Sequence, residues 1–309
     1  TVMKSPLKKV CCKQTPNNKG RIPYDNLKIN KHLHMKLQER GILLIPIDFT
    51  EQSLLAIKQA YNLAKYTHSK IILLHTYDKV GSEMYEELKT LTKLTETESG
   101  VPSEFMNIKG NIYIEVPRVA EEVNATLVMV GLESHMSSTQ IVGASASKMI
   151  RECHCPVISI RGKDHKDGCE NILLPLDLSR ESREKVDVAI QFAHYFGASI
   201  RILGVFSLSD AAYENQLLAY SHQVKQYIKG KGISCSNKSI ASDNVADTVV
   251  EYANKIESDL IVIMNKPTLS IKEFFSGTEA QKIVDISNLP VMTINPSKKE
   301  SMTHFGTGL

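Results

Sequence analysis

The sequence lacks the long apolar run that a membrane-spanning helix requires. No stretch approaches the roughly 18 consecutive apolar residues that cross a bilayer, although 42% of the 309 residues are hydrophobic. The N-terminal region also lacks a continuous apolar core followed by small residues, so we expect no signal peptide. These absences argue against a membrane protein. The hydrophobic content is ample for two buried cores, which fits about two domains.

Cysteine is scarce, and its spacing excludes the common zinc motifs. The six cysteines include no C-x2-C pair. Cys153 and Cys155 flank His154, but one intervening residue leaves too few turns for three ligands to converge on one metal ion. We therefore expect buried structural cysteines, no metal ligands, and a reducing cytoplasmic location.

Charge of one sign is concentrated at the N-terminus. Residues 1–40 hold ten Lys or Arg and two Asp or Glu, so they carry +8 while the whole chain carries +3. The rest of the chain therefore carries −5. A basic leader either touches nucleic acid or anionic lipid or is a solvated, disordered tail. Its weak hydrophobicity favours the tail, and we expect neither a nucleic-acid nor a membrane partner.

The sequence does contain an internal repeat. ILLIPIDFTEQS is echoed by ILLPLDLSRES, which pairs Asp48 with Asp177 at an offset of 129. GASASKMIRECHCPVISI, beginning at Gly143, is echoed by GTEAQKIVDISNLPVMTI, beginning at Gly277, at an offset of 134. Because both landmarks recur in the same order, the chain is a tandem duplication. The predicted boundaries are a leader at 1–39, a first domain at 40–162, a linker at 163–169, a second domain at 170–297 and a tail at 298–309.

Each copy alternates apolar strands with amphipathic helices. Residues 42–47 form a wholly apolar segment of the kind found in a parallel strand covered on both faces, and Thr50 is placed to cap the helix that follows. Residues 70–77 predict a second strand, and NIYIEV, 111–116, predicts the third. This alternation predicts an α/β fold with two doubly wound, five-stranded parallel sheets. The remaining predicted elements of the first copy are helices near 83–95, 117–123 and 144–152 and strands at 126–130 and 156–160.

The predicted strand order places two distant residues together. For five strands of this kind the common order is 3-2-1-4-5, and ligands bind at the carboxyl ends of the strands that flank its reversal, strands one and four. Asp48 ends strand one and Gly131 ends strand four, so residues 83 positions apart meet in one crevice. The hydroxyl-rich segment after Gly131 lies across it and is either a phosphate cradle or a simple turn.

Each of these positions also has a structural interpretation. Asp48 and Asp177 either recognise a nucleotide or begin the turn that caps the next helix. Gly131 either lets a phosphate approach or makes a tight turn after its strand. Gly143 and Gly277 serve helix packing or a turn, with ligand binding as a second role.

These features together resemble the universal stress protein family in its tandem, two-domain form. The resemblance rests on PIDFTEQS, LLHTYD, Gly131 and the closing GASASKMIRECHCPV, and it covers about residues 40–161 and 170–296. It implies a Rossmann-like fold for each domain. It also implies pairing of the last strands, either between chains or within this chain as an internal pseudo-dimer, which removes two exposed sheet edges.

One class of this family binds ATP through a loop of pattern G-x2-G-x9-G followed by Ser or Thr. The resemblance therefore implies a site for ATP with Mg2+ in the first copy and a degenerate site in the second. The implied residues of the first site are Pro46, Ile47, Asp48, Val130, Gly131, Ser134, Gly143, Ala144 and Ser145. Those of the second are Asp177, Gly277 and Thr278.

Both copies depart from the loop pattern. In the first, Ser134 replaces the second glycine and Ala144 stands where a hydroxyl residue is expected, although the main-chain N–H groups of the helix start remain. In the second, Met264 and Pro267 occupy the two early glycine positions, and proline donates no N–H. Losing one hydrogen bond to a charged phosphate costs about 1.5–3 kcal/mol. We expect a weakened first site and an inactive second one.

Two functions follow from the resemblance. The chain is either a stress-response protein that binds ATP or a related adenine nucleotide, or a nucleotide-free member that acts as an interaction or regulatory scaffold for protein partners. We expect no enzyme and no catalytic residue. PIDFTEQS offers neither the H-x-G-H nor the S-G-G-x-D-S loop of nucleotide enzymes on related folds, and no Ser-His-Asp, Cys-His or paired-carboxylate arrangement is visible.

Overall fold

The structure, a computed structural model, describes residues 40–79, 84–132, 144–162, 166, 168–179, 182–265 and 277–296. The predicted leader and tail lie outside these residues, as does part of the predicted linker. Strands and helices alternate through both halves. The first half contains strands β1 (Ile42–Ile47), β2 (Lys70–Tyr77), β3 (Ser103–Lys109), β4 (Leu127–Gly131) and β5 (Val157–Ile160), with helices α1 (Glu51–Thr67), α2 (Tyr85–Ser99), α3 (Ile112–Glu122) and α4 (Ala144–Glu152). The second contains β6 (Asn171–Leu176), β7 (Ser199–Phe206), β8 (Cys235–Ala241), β9 (Leu260–Met264) and β10 (Val291–Ile294), with α5 (Ser182–Phe196), α6 (Ala211–Gly230), α7 (Val245–Lys255) and α8 (Gly277–Ile286).

The described strands form one ten-stranded sheet in the order β3-β2-β1-β4-β5-β10-β9-β6-β7-β8. Each half therefore has the predicted order, and the prediction of two doubly wound parallel sheets is confirmed. β5 and β10 pair antiparallel, with Val291 opposite Ser159 and Thr293 opposite Val157. This pairing joins the halves as the predicted internal pseudo-dimer. Since β5 and β10 each have a neighbouring strand on both sides, two chains could associate through these strands only by displacing one of those neighbours.

Apolar side chains cover both faces of the sheet, as buried parallel strands require. In β1, Leu43 and Ile45 belong to the core cluster formed with α1, α5 and α6. Leu44, between them, belongs to the cluster formed with α3, α4, α7 and α8. Because side chains cover both faces of the sheet, a ligand cleft can form at the carboxyl ends of the strands. None of the helices in the described ranges has the length and apolar character needed to cross a membrane.

One predicted strand is wrong. NIYIEV, 111–116, contains the start of α3 instead of a strand, and the third strand is β3. The Asn111 side chain accepts the Tyr113 N–H at 2.9 Å, which caps α3 and overrides the β-branched composition. The pattern of β3 escapes recognition because β3 is an edge strand whose residues are all at least partly exposed.

Candidate functional site

A cleft opens at the carboxyl ends of β1 and β4, where the strand order of the first half reverses. Its cavity volume is about 310 Å³, at the lower end of the range of small-molecule sites. Five predicted residues meet there: Pro46, Ile47, Asp48, Val130 and Gly131. The remaining lining residues in the described part of the chain are Ser53, Thr76, Ile112, Tyr113, Leu132, Ala146, Met149 and Arg161.

Asp48 is turned back toward the start of α1. Its Oδ1 accepts the Thr50 N–H at 3.0 Å and the Thr50 hydroxyl at 2.6 Å. Thr50 accepts the Ser53 N–H at 3.3 Å, so the predicted N-cap is confirmed. Burial opposes ionisation of Asp48, but hydrogen bonds from Thr50 and Ser53 outweigh it and lower the pKa of Asp48. The residue is exposed within the cleft, so this structural role is compatible with contact to a ligand.

The lowered pKa of Asp48 predicts a pH-dependent contribution to stability. Because the folded-state pKa lies below the unfolded value of about 3.9, ionised Asp48 stabilises the folded state at neutral pH. That contribution is lost as the pH falls through the folded-state pKa. We expect Asp48→Asn to be less stable than wild type at pH 7 by at most about 1 kcal/mol, because solvent screens the exposed carboxylate, and we expect a smaller difference at about pH 3. Urea unfolding at both pH values measures it, and an equal difference at both would show that the charge plays no part.

Gly131 is explained by packing against α1. A Cβ atom at this position would lie 2.2 Å from the main-chain O of Gln52 and 2.6 Å from the main-chain N of Ser53. The end of β4 and the first turn of α1 therefore meet main chain to main chain, which requires the absence of a side chain. This contact, rather than a tight turn, accounts for the glycine. Contact of Gly131 with a phosphate stays a prediction.

The phosphate-binding half of the predicted first site is only partly described. Ser134 and Gly143 lie outside the described residues. Ala144 begins α4, and Ser145, in the first turn, is exposed. The first N–H groups of a helix have no acceptor within it, and α4 also contributes Ala146 to the cleft wall. The start of α4 is therefore available in position and chemistry for an anion, and its role stays a prediction.

The corresponding residues of the second copy, Asp177 and Met264, are buried. Asp177 is 1% exposed, and its Oδ1 accepts the Ser179 N–H at 3.2 Å and the Ser179 hydroxyl at 2.7 Å. The second copy thus repeats the capping turn of the first, but the carboxylate of Asp177 is buried. Met264, the counterpart of Gly131, is 2% exposed and adds a buried side chain where the first copy has none.

The other second-copy residues differ in their exposure. Lys185 is 1% exposed and takes the place that Ala56 has in α1. Gly277 begins α8, and Thr278 is exposed in its first turn. A buried carboxylate and bulkier neighbours support the interpretation of a degenerate site, which stays a prediction.

Sequence reasoning missed Arg161, Tyr113 and Thr76, which tertiary structure brings to the cleft. Arg161 directly follows β5 and is 8% exposed. Among the described lining residues, Asp48 and Arg161 are the charged ones. The repeat itself holds a signal for Arg161, because aligning the closing segments PVISIR and PVMTIN sets it against Asn295. Tyr113 and Thr76 have no such signal.

The described cysteines are suited to packing in the core rather than to nucleophilic attack or metal binding. All four are buried and free. Burial raises the pKa of Cys155 to about 12 and that of Cys235 to about 11, and it raises the pKa values of Cys153 and Cys169 as well. These thiols are protonated at neutral pH and are poor nucleophiles and metal ligands. Within the described ranges, no group of three or more His, Cys, Asp or Glu is placed to hold a metal ion.

Comparison with known proteins agrees with the repeat and the sheet. The sequence profile of the universal stress protein family matches twice, at residues 39–161 and 168–295. A universal stress protein of Methanocaldococcus jannaschii is 27% identical over 138 residues, which cover 38% of this chain and 81% of that protein.

Two solved structures superpose on most of this chain. A universal stress protein from Archaeoglobus fulgidus superposes with a TM-score of 0.70 at 14% identity and covers 84% of this chain and 99% of its own. A Pseudomonas aeruginosa protein of unknown function superposes with a TM-score of 0.66 at 17% identity and covers 84% of this chain and 94% of its own. At these identities the likeness establishes the fold, while the two profile matches establish the family. The chain belongs to the universal stress protein family, and it carries two copies of the family's domain in tandem.

Proposed function

We propose that this tandem universal stress protein binds an adenine nucleotide, ATP with Mg2+, in the cleft of its first repeat. The observation that carries the proposal is the cleft itself, of about 310 Å³, which is lined by both Asp48, directly after β1, and Gly131, the last residue of β4, at the reversal of strand order. Both residues match the positions that ATP-binding members of the family use. The second repeat, with buried Asp177 and Met264 in place of a glycine, has a structural role.

The chemistry of the cleft suits the two ends of a nucleotide. Apolar groups of Ile47, Val130 and Met149 line it and offer a surface for a purine ring. Asp48, ionised and exposed, can accept hydrogen bonds from the adenosine part. Toward the triphosphate, the start of α4 offers main-chain N–H groups and a favourable helix dipole.

We propose binding rather than catalysis. Among the described lining residues the one carboxylate is Asp48, which already accepts two hydrogen bonds from Thr50. The described lining contains no histidine, lysine or cysteine beside its hydroxyl groups, so it lacks a general base to activate them.

We also propose a cytoplasmic location, because the four buried cysteines of the described ranges are unpaired thiols.

Isothermal titration with Mg-ATP tests the proposal. We expect wild type to bind and Asp48→Ala to bind about tenfold or more weakly, because it loses a charged hydrogen-bond acceptor at the site. Asp243→Ala is the matched control, since Asp243 is an exposed aspartate of the second repeat that follows β8. It should bind like wild type. Equal affinities for all three proteins would contradict the site.

The departures from the loop pattern favour a second candidate. Ser134 and Ala144 stand where ATP-binding members have a glycine and a hydroxyl residue, so a nucleotide-free scaffold that engages protein partners is the alternative function. The same titration separates the two. No heat and no thermal shift at millimolar Mg-ATP would favour the scaffold.

A further inference from the structure

We propose that Arg161 binds the phosphate groups of the nucleotide and that the second repeat holds it in place for this role. The inference rests on the proposed nucleotide site and adds to it a residue outside the family's loop pattern. The second repeat then completes the site of the first, although the corresponding residues of the second repeat, Asp177 and Met264, are buried.

Arg161 lies beside the carboxyl end of β4. Gly131 is the register partner of Ile160 in the parallel β4–β5 pair, and the Leu132 N–H donates to the Ile160 main-chain O at 2.8 Å. Arg161 is the next residue and lines the cleft. The other charged residue of the described lining is Asp48, which repels an anion. A phosphate that enters the described part of the cleft is therefore attracted toward Arg161.

The second repeat supplies a partner for Arg161. Its Nη1 donates to the main-chain O of Asp285, in the last turn of α8. The last carbonyl groups of a helix lack donors within it, and that end carries partial negative charge, so a guanidinium is a favourable cap. Burial lowers the pKa of Arg161 and the charge of Asp285 opposes this shift. The guanidinium stays protonated at neutral pH.

Asn295 occupies the equivalent position of the second repeat. It follows β10 as Arg161 follows β5. Its Nδ2 donates to the main-chain O of Ile150 at 2.7 Å and of Cys153 at 2.8 Å, at the end of α4. A neutral amide therefore suffices to cap the helix of the other repeat. Arg161, the charged residue of this pair, lies in the repeat with the cleft, whereas Asn295 is neutral. This difference indicates that Arg161 has a role beyond capping a helix.

The geometry of a guanidinium allows Arg161 to bind the main-chain O of Asp285 and a phosphate at the same time. The group presents five N–H donors in one plane, so one guanidinium can donate both to a main-chain oxygen and to phosphate oxygens. Its planar fork matches two oxygens of a phosphate. Because α8 orders the side chain before a ligand arrives, less conformational entropy is lost on binding.

The test compares ATP with adenosine, which lacks the phosphates, by titration calorimetry. Arg161→Gln keeps a donor for the helix cap but removes the charge. We expect its ATP affinity to fall about tenfold or more while its adenosine affinity stays within about twofold of wild type. Arg161→Lys, which keeps the charge without the fork, should lie between. Arg118→Gln removes an exposed arginine from α3 and should match wild type.

Two outcomes with ATP and adenosine overturn the inference. Equal losses for ATP and adenosine would show that Arg161 only shapes the cleft, and an unchanged ATP affinity would show that it does not meet the phosphates. If wild type binds neither ATP nor adenosine, the proposed function fails, and tripolyphosphate becomes the probe. Binding of tripolyphosphate that disappears in Arg161→Gln would retain the phosphate role, whereas no binding to wild type would remove it too.

Discussion

Gly131→Ala is expected to destabilise the protein by about 1–3 kcal/mol, although it adds a single methyl group. The new Cβ would lie 2.2 Å from the main-chain O of Gln52, and a backbone atom cannot rotate away as a side chain can. Either the end of β4 or the first turn of α1 must shift. That turn carries the Thr50 cap and adjoins Asp48, so the same change is expected to weaken nucleotide binding.

Gly230→Ala is the matched control for this prediction. Gly230 ends α6, and an added Cβ would meet nothing within 4 Å. Alanine is a better helix former than glycine, so we expect a change between zero and about 1 kcal/mol of added stability. Chemical denaturation of both variants beside wild type gives the comparison. A Gly131→Ala protein as stable as wild type would contradict the close contact between β4 and α1.

Asn295→Leu is expected to cost about 2–4 kcal/mol of stability, because it removes a buried polar link between the repeats. Asn295 is 9% exposed. It donates to two main-chain carbonyls at the end of α4 and accepts the Asn265 side-chain N–H at 2.8 Å. Leucine has a similar volume but no polar atom, so these buried groups lose a partner without gaining water.

Asn254→Leu provides the control for Asn295→Leu. Asn254 is exposed on α7, and exposed substitutions of this kind usually change stability by no more than about 0.5 kcal/mol. Urea unfolding followed by circular dichroism measures both variants. If the two changes cost the same, the hydrogen bonds that Asn295 makes to the first repeat contribute nothing net to stability.

The fold was largely predictable because its signals are local and repeated. Wholly apolar segments such as β1 identify buried parallel strands, and the duplication predicts where each copy begins and ends. The strand order then follows from general rules for doubly wound sheets. β3 was missed because a half-exposed edge strand carries no strong apolar pattern, while the cap at Asn111 turned a β-branched segment into α3.

The candidate site was predictable only where chain order and sheet topology determine it. Asp48 and Gly131 end adjacent strands of known order, so their meeting followed from the sequence. The reason for Gly131 did not, because the approach of β4 to α1 depends on three-dimensional packing. Arg161 was missed because its surroundings combine the cleft of one repeat with a helix of the other, and no local motif encodes that combination.

Hydrogen–deuterium exchange with and without saturating Mg-ATP decides whether the first repeat binds a nucleotide, because it maps where a ligand binds along the whole chain. A nucleotide in the cleft of the first repeat should slow exchange in two peptides of that repeat, one spanning residues 47–53 and one spanning 130–146. The corresponding segments of the second repeat, near 176–182 and 264–280, should exchange as before. Slower exchange in the second repeat instead, or no change in either repeat at millimolar nucleotide, would contradict a nucleotide site in the first.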